Sequence, residues 1–155
     1  MSNRDQIHKF YTALSAGDSN EMVACYHETI SFQDPVFGLL EGKRANKMWE
    51  MLLSKNTENT RFTFSGIEAT TEIGMAKWEA EYYYGKRKVI NKVKAEFKFK
   101  DGKIIEHIDT FDMWKWTQQA FGATGYLLGW TPFMKKKIRK TVNKKLDRFI
   151  EKNPA

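Results

Sequence analysis

Three consecutive segments write out a β-hairpin: Val89-Ile90-Asn91-Lys92-Val93-Lys94-Ala95-Glu96-Phe97-Lys98-Phe99-Lys100, then Asp101-Gly102, then Lys103-Ile104-Ile105-Glu106-His107-Ile108-Asp109-Thr110-Phe111-Asp112. In the first, Val89, Asn91, Val93, Ala95, Phe97 and Phe99 alternate with Ile90 and a row of charged residues, the pattern of a strand with one face in a core and one in water. Asp-Gly is a strong two-residue turn signal, and such a turn pairs Lys100 with Lys103 directly. Strict alternation beyond it would put His107 and Asp109 on the solvent face together with Ile105 and Phe111, a mixed and unconvincing face.

Upstream, Ala76, Trp78, Ala80, Tyr82 and Tyr84 alternate with Lys77, Glu79, Glu81 and Tyr83, and Gly85 opens a hairpin loop. Arg61 to Ile73 is rich in Phe, Thr and Ile, and Asn56-Thr57-Glu58-Asn59 reads as the turn before it. Earlier still the period is helical. Ile7, Phe10, Tyr11 and Leu14 form one stripe, closed by Gly17. Asp18 with Glu21 reads as a capping box for a short helix whose buried side is Met22, Val23 and Tyr26. Ile30 to Asp34 alternates like a short strand that Pro35 stops. Gly38 and Gly42 bracket a loop, and a third helix carries Ala45, Met48, Trp49, Leu52 and Leu53 on one face. The last strand is expected to run from Lys103 to about Trp114, with glycines breaking up Ala120 to Thr131. Helices followed by a meander of long strands indicate a single α+β domain.

The 155 residues carry a formal charge of +7, unevenly placed. Residues 131–155 hold nine Lys or Arg against Asp147 and Glu151, so the other 130 residues balance at 17 basic and 17 acidic. Pro132 suits the first turn of a helix with the apolar stripe Met134, Ile138, Val142, Leu146, Phe149 and Ile150. Three readings fit this ending: a helix docked on the body, an attachment to an anionic membrane surface through the cationic helix and the apolar Tyr126–Trp130 run, or a nucleic-acid contact. No nucleic-acid motif accompanies the lysines, so no nucleic-acid partner is expected. Cys25 is the only cysteine, which excludes an intrachain disulfide and reads as a buried thiol. No His or Cys cluster has metal-ligand spacing, and no metal or other cofactor is expected. Neither a signal peptide nor a spanning helix is evident, and a cytoplasmic location is the default expectation.

Three stretches carry a family resemblance. Phe10-Tyr11-Thr12-Ala13-Leu14-Ser15-Ala16-Gly17-Asp18 looks like the first helix and Gly-Asp turn of the nuclear transport factor 2-like superfamily. Phe32-Gln33-Asp34-Pro35-Val36-Phe37-Gly38, with Glu41-Gly42, looks like its Asp-Pro loop, and residues 101–112 like its last hairpin. Within that superfamily the chain resembles the SnoaL-like, ketosteroid isomerase-like proteins. The resemblance implies a cone-shaped fold, a curved antiparallel sheet wrapped by helices around an apolar pocket, over residues 1–120. Residues 121–155, an apolar loop and a basic amphipathic helix, lie outside it. It further implies a homodimer. It also implies that His107, Asp109 and Phe111 face inward, which a bulge near Gly102 would permit.

In ketosteroid isomerases the Asp of the matching loop is a general base, so Asp34 is the leading catalytic candidate; the plainer reading is that it caps the Pro35 turn. The oxyanion donors of that enzyme do not carry over, because their positions fall on Phe10 and Ala95, with Tyr11 one place off. Asp109, in Asp-Thr-Phe-Asp, resembles a last-strand pattern of limonene epoxide hydrolase, whose Asp-Arg-Asp set is incomplete here. Asp34 and Asp109 together would form an acid–base pair. Tyr11, Trp49, Trp78, Tyr82, Asn91, Phe97, His107 and Phe111 are the candidate ligand-contacting residues. The expected function is binding of a small apolar molecule with proton transfer, cyclisation or water addition. The alternative is a non-catalytic ligand-binding or membrane-surface module.

Overall fold

A computed structural model describes residues 1–54 and 58–154. The chain runs α1 (Asn3–Ala16), α2 (Ser19–Ala24), β1 (Tyr26–Asp34), β2 (Gly38–Glu41), α3 (Lys43–Ser54), β3 (Arg61–Ala69), β4 (Ile73–Tyr84), β5 (Arg87–Lys100), β6 (Lys103–Thr110), α4 (Met113–Phe121), α5 (Ala123–Leu128) and α6 (Pro132–Lys152). Six strands form one curved, unclosed sheet in the order β2-β1-β6-β5-β4-β3. Its pairings are antiparallel except that of β1 with β6. The helices cover the inner face, as the α+β expectation requires.

The β5–β6 hairpin resolves the register conflict. Asp101 and Gly102 both take positive φ, +54° and +74°, as a two-residue turn matching the right-handed strand twist demands. Lys100 faces Lys103 and Phe99 faces Ile104, but Lys98 then faces Glu106. Ile105 is the extra residue of a β-bulge. Past it, His107 stands opposite Phe97 and Asp109 opposite Ala95, both side chains inward and buried.

The α1 stripe lies against the sheet, with Ile7, Phe10, Tyr11 and Leu14 fully buried. Several expectations need correction. Tyr26 belongs to β1, not to the second helix, because its backbone pairs with Ile104. Its distance of four from Met22 imitates helical spacing. The stretch between Gly38 and Gly42 is a short edge strand rather than a loop, since Leu39 and Leu40 pair with Gln33 and Phe32. On α3, Leu52 is exposed and Met51 takes the buried place. The last strand stops at Thr110, where Asp112 accepts a hydrogen bond from the Lys115 amide and starts α4. At Asp18 only half of a capping box forms; the complete one is Ser2 with Asp5. Of the turn expected at 56–59, residues 58 and 59 form a turn and the other two lie outside the described residues. Cys25 is buried as expected, its thiol bonded to the Glu21 carbonyl at 3.4 Å.

The basic ending is a docked helix. Ile138 and Leu146 are buried, and Met134, Val142, Phe149 and Ile150 pack partly against the core. Arg44 of α3 ties α6 down through Asp147 at 2.6 Å and Asn143 at 2.8 Å. Among the described residues no helix is long and apolar enough to cross a membrane.

Candidate functional site

A buried hydrogen-bonded chain crosses the cone. The Trp49 indole N–H donates to Tyr26 Oη at 2.9 Å, Tyr26 Oη lies 2.7 Å from His107 Nδ1, and His107 Nε2 lies 2.8 Å from Asp109 Oδ1. The Trp78 indole N–H reaches the same carboxylate oxygen at 3.3 Å. Hydrogen-bond accounting assigns the protons. Tyr26 accepts from Trp49 and passes its own proton to Nδ1, so His107 carries its ring proton on Nε2 and donates to Asp109. Every donor is then used, and the series ends on one carboxylate.

Each member is placed by a local feature. Tyr26 is the first residue of β1, brought beside β6 by the parallel pairing. Trp49 comes from the inner face of α3 and Trp78 from β4, opposite Val93. His107 and Asp109 face inward because of the Ile105 bulge. Rings surround the imidazole: Phe97 at 4.5 Å between centroids, Phe32 at 5.0 Å, Phe10 at 5.4 Å, and Trp49 stacked at 6.3 Å. The imidazole is thus enclosed by the protein's own aromatic side chains. Of two surface hollows, one lies beside Lys86, Arg87 and Gln119, and the other lies over Ser65, Lys77 and Lys94 with Trp78 in its lining. Neither is lined by Asp34 or Asp109.

Tyr11 is 1% exposed, and its hydroxyl has no hydrogen-bond partner among the described residues. It lies within electrostatic reach of Asp109, and burial pushes its ionisation well above the ordinary tyrosine range. A buried hydroxyl without a partner forfeits one to a few kcal/mol, about 1–3 by mutational measure, which a ligand oxygen could restore.

Asp34 sits at the end of β1. Its Oδ1 accepts from the amides of Val36 at 2.9 Å and Phe37 at 2.6 Å, the turn cap that the sequence allows. Both bonds fall on Oδ1. Burial nevertheless pushes the carboxyl up from 3.8 to about 7, helped by the negative charge of Asp109 and opposed by the two amides and by Arg139. Arg139 belongs to α6, where its guanidinium donates to the Pro35 carbonyl at 3.2 Å, while Asn143 donates to the Phe37 carbonyl at 2.9 Å. The last helix thus clamps the Asp-Pro loop.

Tyr82 is in electrostatic contact with Asp34; its hydroxyl accepts from the Trp116 indole at 2.7 Å, and burial pushes its ionisation up to about 12. Phe111 is partly buried against the core. Asn91 lies on the inner face of β5 opposite Ala80, outside the hydrogen-bonded chain. Phe10 and Ala95, where the isomerase donors would fall, are buried core residues. Among the described residues no group of three or more His, Cys, Asp or Glu could hold a metal. The sequence reading missed Tyr26, Trp116, Arg139 and Asn143. No periodic signal points to them as site residues, and only their hydrogen bonds in three dimensions find them.

The SnoaL-like domain model matches residues 7–107. The chain belongs to the SnoaL-like family. This SnoaL-like protein is similar in fold to Bal32a from a soil-derived mobile gene cassette, with 16% identity, a TM-score of 0.67, and 76% of this chain and 95% of that one covered. It is likewise similar to TerC co-crystallised with polyporic acid (13% identity, TM-score 0.66, 76% and 97% covered). A third similar fold is an LEH-like epoxide hydrolase of M. tuberculosis (18% identity, TM-score 0.62, 82% and 90% covered). No curated protein matches this chain. The family match ends at His107, so Asp109, Trp116 and the α6 clamp are contributed from beyond it.

Proposed function

We propose that this SnoaL-like protein binds a small apolar molecule against the aromatic interior of the cone and acts on it by general acid–base chemistry, with Asp34 as the base. Proton transfer beside a carbonyl, cyclisation and water addition all fit that chemistry. The supporting observation is that Asp34 is raised to about 7 while the buried Asp109 lies within electrostatic reach. A carboxyl at that value exchanges a proton readily near neutral pH. Asp109, held by His107 and Trp78, is the second carboxylate. The Tyr11 hydroxyl is the spare donor for oxygen charge that builds up when Asp34 removes a proton.

Carbon-detected NMR of the aspartate carboxyls tests this, with 2-naphthol as a flat probe carrying one hydroxyl. Asp34 is expected to titrate near 7, to shift when 2-naphthol binds, and to lose part of that response in Tyr11→Phe. A midpoint near 4, the unperturbed carboxylate value, with no response of inward-facing residues to the probe, would remove the catalytic reading.

A further inference from the structure

The α5 segment is packed inside out. From residue 123 to residue 130 the buried residues are Gly125 and Gly129, four apart, and they press on Thr117 of α4. A side-chain carbon at either glycine would collide with the Thr117 carbonyl or hydroxyl. Thr117 is fully buried, and its hydroxyl bonds to the Trp114 carbonyl at 2.8 Å and the Gly125 carbonyl at 3.3 Å. Using its smallest residues for packing, the segment turns its largest to water. Leu127 is 64% exposed, Trp130 60% and Phe133 76%, and Trp114, Tyr126 and Leu128 are exposed beside them. One exposed apolar residue is ordinary, but six within residues 114–133 form a patch.

The patch is pre-organised. Trp114 and Tyr126 pack with ring centroids 5.6 Å apart. The Trp114 indole N–H donates to the Tyr126 carbonyl and that of Trp130 to the Leu127 carbonyl, each at 3.0 Å. Both indole donors are satisfied within the chain, so moving these rings into an apolar medium breaks no hydrogen bond. The chain that carries the patch is cationic. Residues 113–146 contain no Asp or Glu and eight Lys or Arg. On α6, Phe133, Lys136, Lys137 and Lys140 follow i, i+3, i+4, i+7 and so share one face, continuous with the patch and turned from the buried Ile138 and Leu146. Lys136, Lys137 and Lys140 are exposed and make no ion pair among the described residues.

We infer that Trp114, Tyr126, Leu127, Leu128, Trp130 and Phe133, rimmed by the α6 lysines, are a docking surface for an anionic lipid bilayer. Leucine and phenylalanine enter the acyl boundary, tryptophan and tyrosine settle at the headgroup level, and lysines reach the phosphates and carboxylates. The apolar contact comes from α5 and the turn before α6, because the apolar stripe of α6 is spent on the body. A second copy of the chain fits this surface poorly, since face-to-face docking would bring two lysine rows together.

Flotation of the full chain with vesicles of phosphatidylcholine alone, and with vesicles also containing phosphatidylserine, tests the inference. Binding is expected only to the second, with a blue shift of tryptophan emission that is reduced in Trp130→Phe and absent when Trp114→Phe is added. The exposed triple change Leu127→Ser, Leu128→Ser, Trp130→Ser is expected to abolish binding with an unchanged circular dichroism spectrum. Each of Lys136→Gln and Lys137→Gln should weaken binding about fivefold, an effect that added salt reproduces. Absence of binding to phosphatidylserine vesicles overturns the inference, as does binding that survives the triple change. Sedimentation velocity supplies the remaining arm: a wild-type dimer that the triple change dissociates would make this face a self-association surface and overturn it too.

Discussion

The interior of the cone and the α4–α5 unit use the same kinds of side chain in opposite ways. Inside the cone Trp49, Trp78 and Tyr26 are turned inward, and the indole donors run into a chain that ends on Asp109. In the α4–α5 unit and the turn after it Trp114, Tyr126 and Trp130 are turned outward, and the two indole donors close on nearby carbonyls. The difference teaches that aromatic content does not itself define a core. What separates the two regions is where each polar tip finds its partner, on a distant element inside the cone and within a dozen residues in the unit. The first arrangement ties elements together; the second leaves the rings free to meet something else.

Identical residue types then carry different costs, which denaturant unfolding can measure. The largest effect is expected for Trp49→Ala. The side chain is 2% exposed and touches Phe10, Phe32, Trp78 and His107, so its loss should cost about 3–5 kcal/mol.

Next comes Asp34→Asn, read as a pH dependence. The folded carboxyl is raised from 3.8 to about 7, so below about pH 4 both folded and unfolded chains are protonated and nothing is lost. As pH climbs to about 7 the folded state must ionise a reluctant group, and above that it is destabilised by roughly 2–4 kcal/mol, allowing for partial exposure. Asparagine keeps an oxygen for the Val36 and Phe37 amides. The variant should therefore match the parent at acid pH and exceed it at pH 8 by that margin. Equal stabilities at both ends would show that Asp34 belongs with ordinary turn caps.

Tyr26→Phe should cost about 1–3 kcal/mol, because it removes the partner of both the Trp49 indole and His107 Nδ1 while leaving the ring in place. The nitrogen NMR signature of His107 should shift with it, and an unmoved signature would break the chain at its centre. The smallest effect belongs to Trp130→Ala, within about 0.5 kcal/mol. A loss comparable to that at Trp49 would make the outward face structural and erase the contrast between the two regions.

Much of the frame was legible in the residues. Alternation along Val89–Phe99 located β5 and its inward face, and the Ile7–Leu14 stripe located the first helix, because both depend on local period. The inward turn of His107 and Asp109 was legible only through the family resemblance, since the bulge at Ile105 is set by the pairing of two strands. Helix α4 was hidden because Met113-Trp114-Lys115-Trp116 alternates like a strand, and only the cap from Asp112 redirects it. Tyr26 was absorbed into a helical stripe by its spacing from Met22. The proton affinity of Asp34 was invisible for a different reason. It depends first on burial, and then on neighbours such as Asp109, which raises it, and Arg139, which lowers it, 75 and 105 positions away in the chain.

The Ile105 bulge has a consequence for how such a site comes and goes. Beyond it, each residue of β6 owes its orientation to a single inserted position. A strict ladder that paired Ile105 with Lys98 would turn His107 and Asp109 out to solvent and bring Glu106 and Ile108 inward, while every chemically important amino acid stayed in the chain. How this hairpin pairs, and not only which residues it contains, therefore decides whether the histidine and aspartate reach the interior.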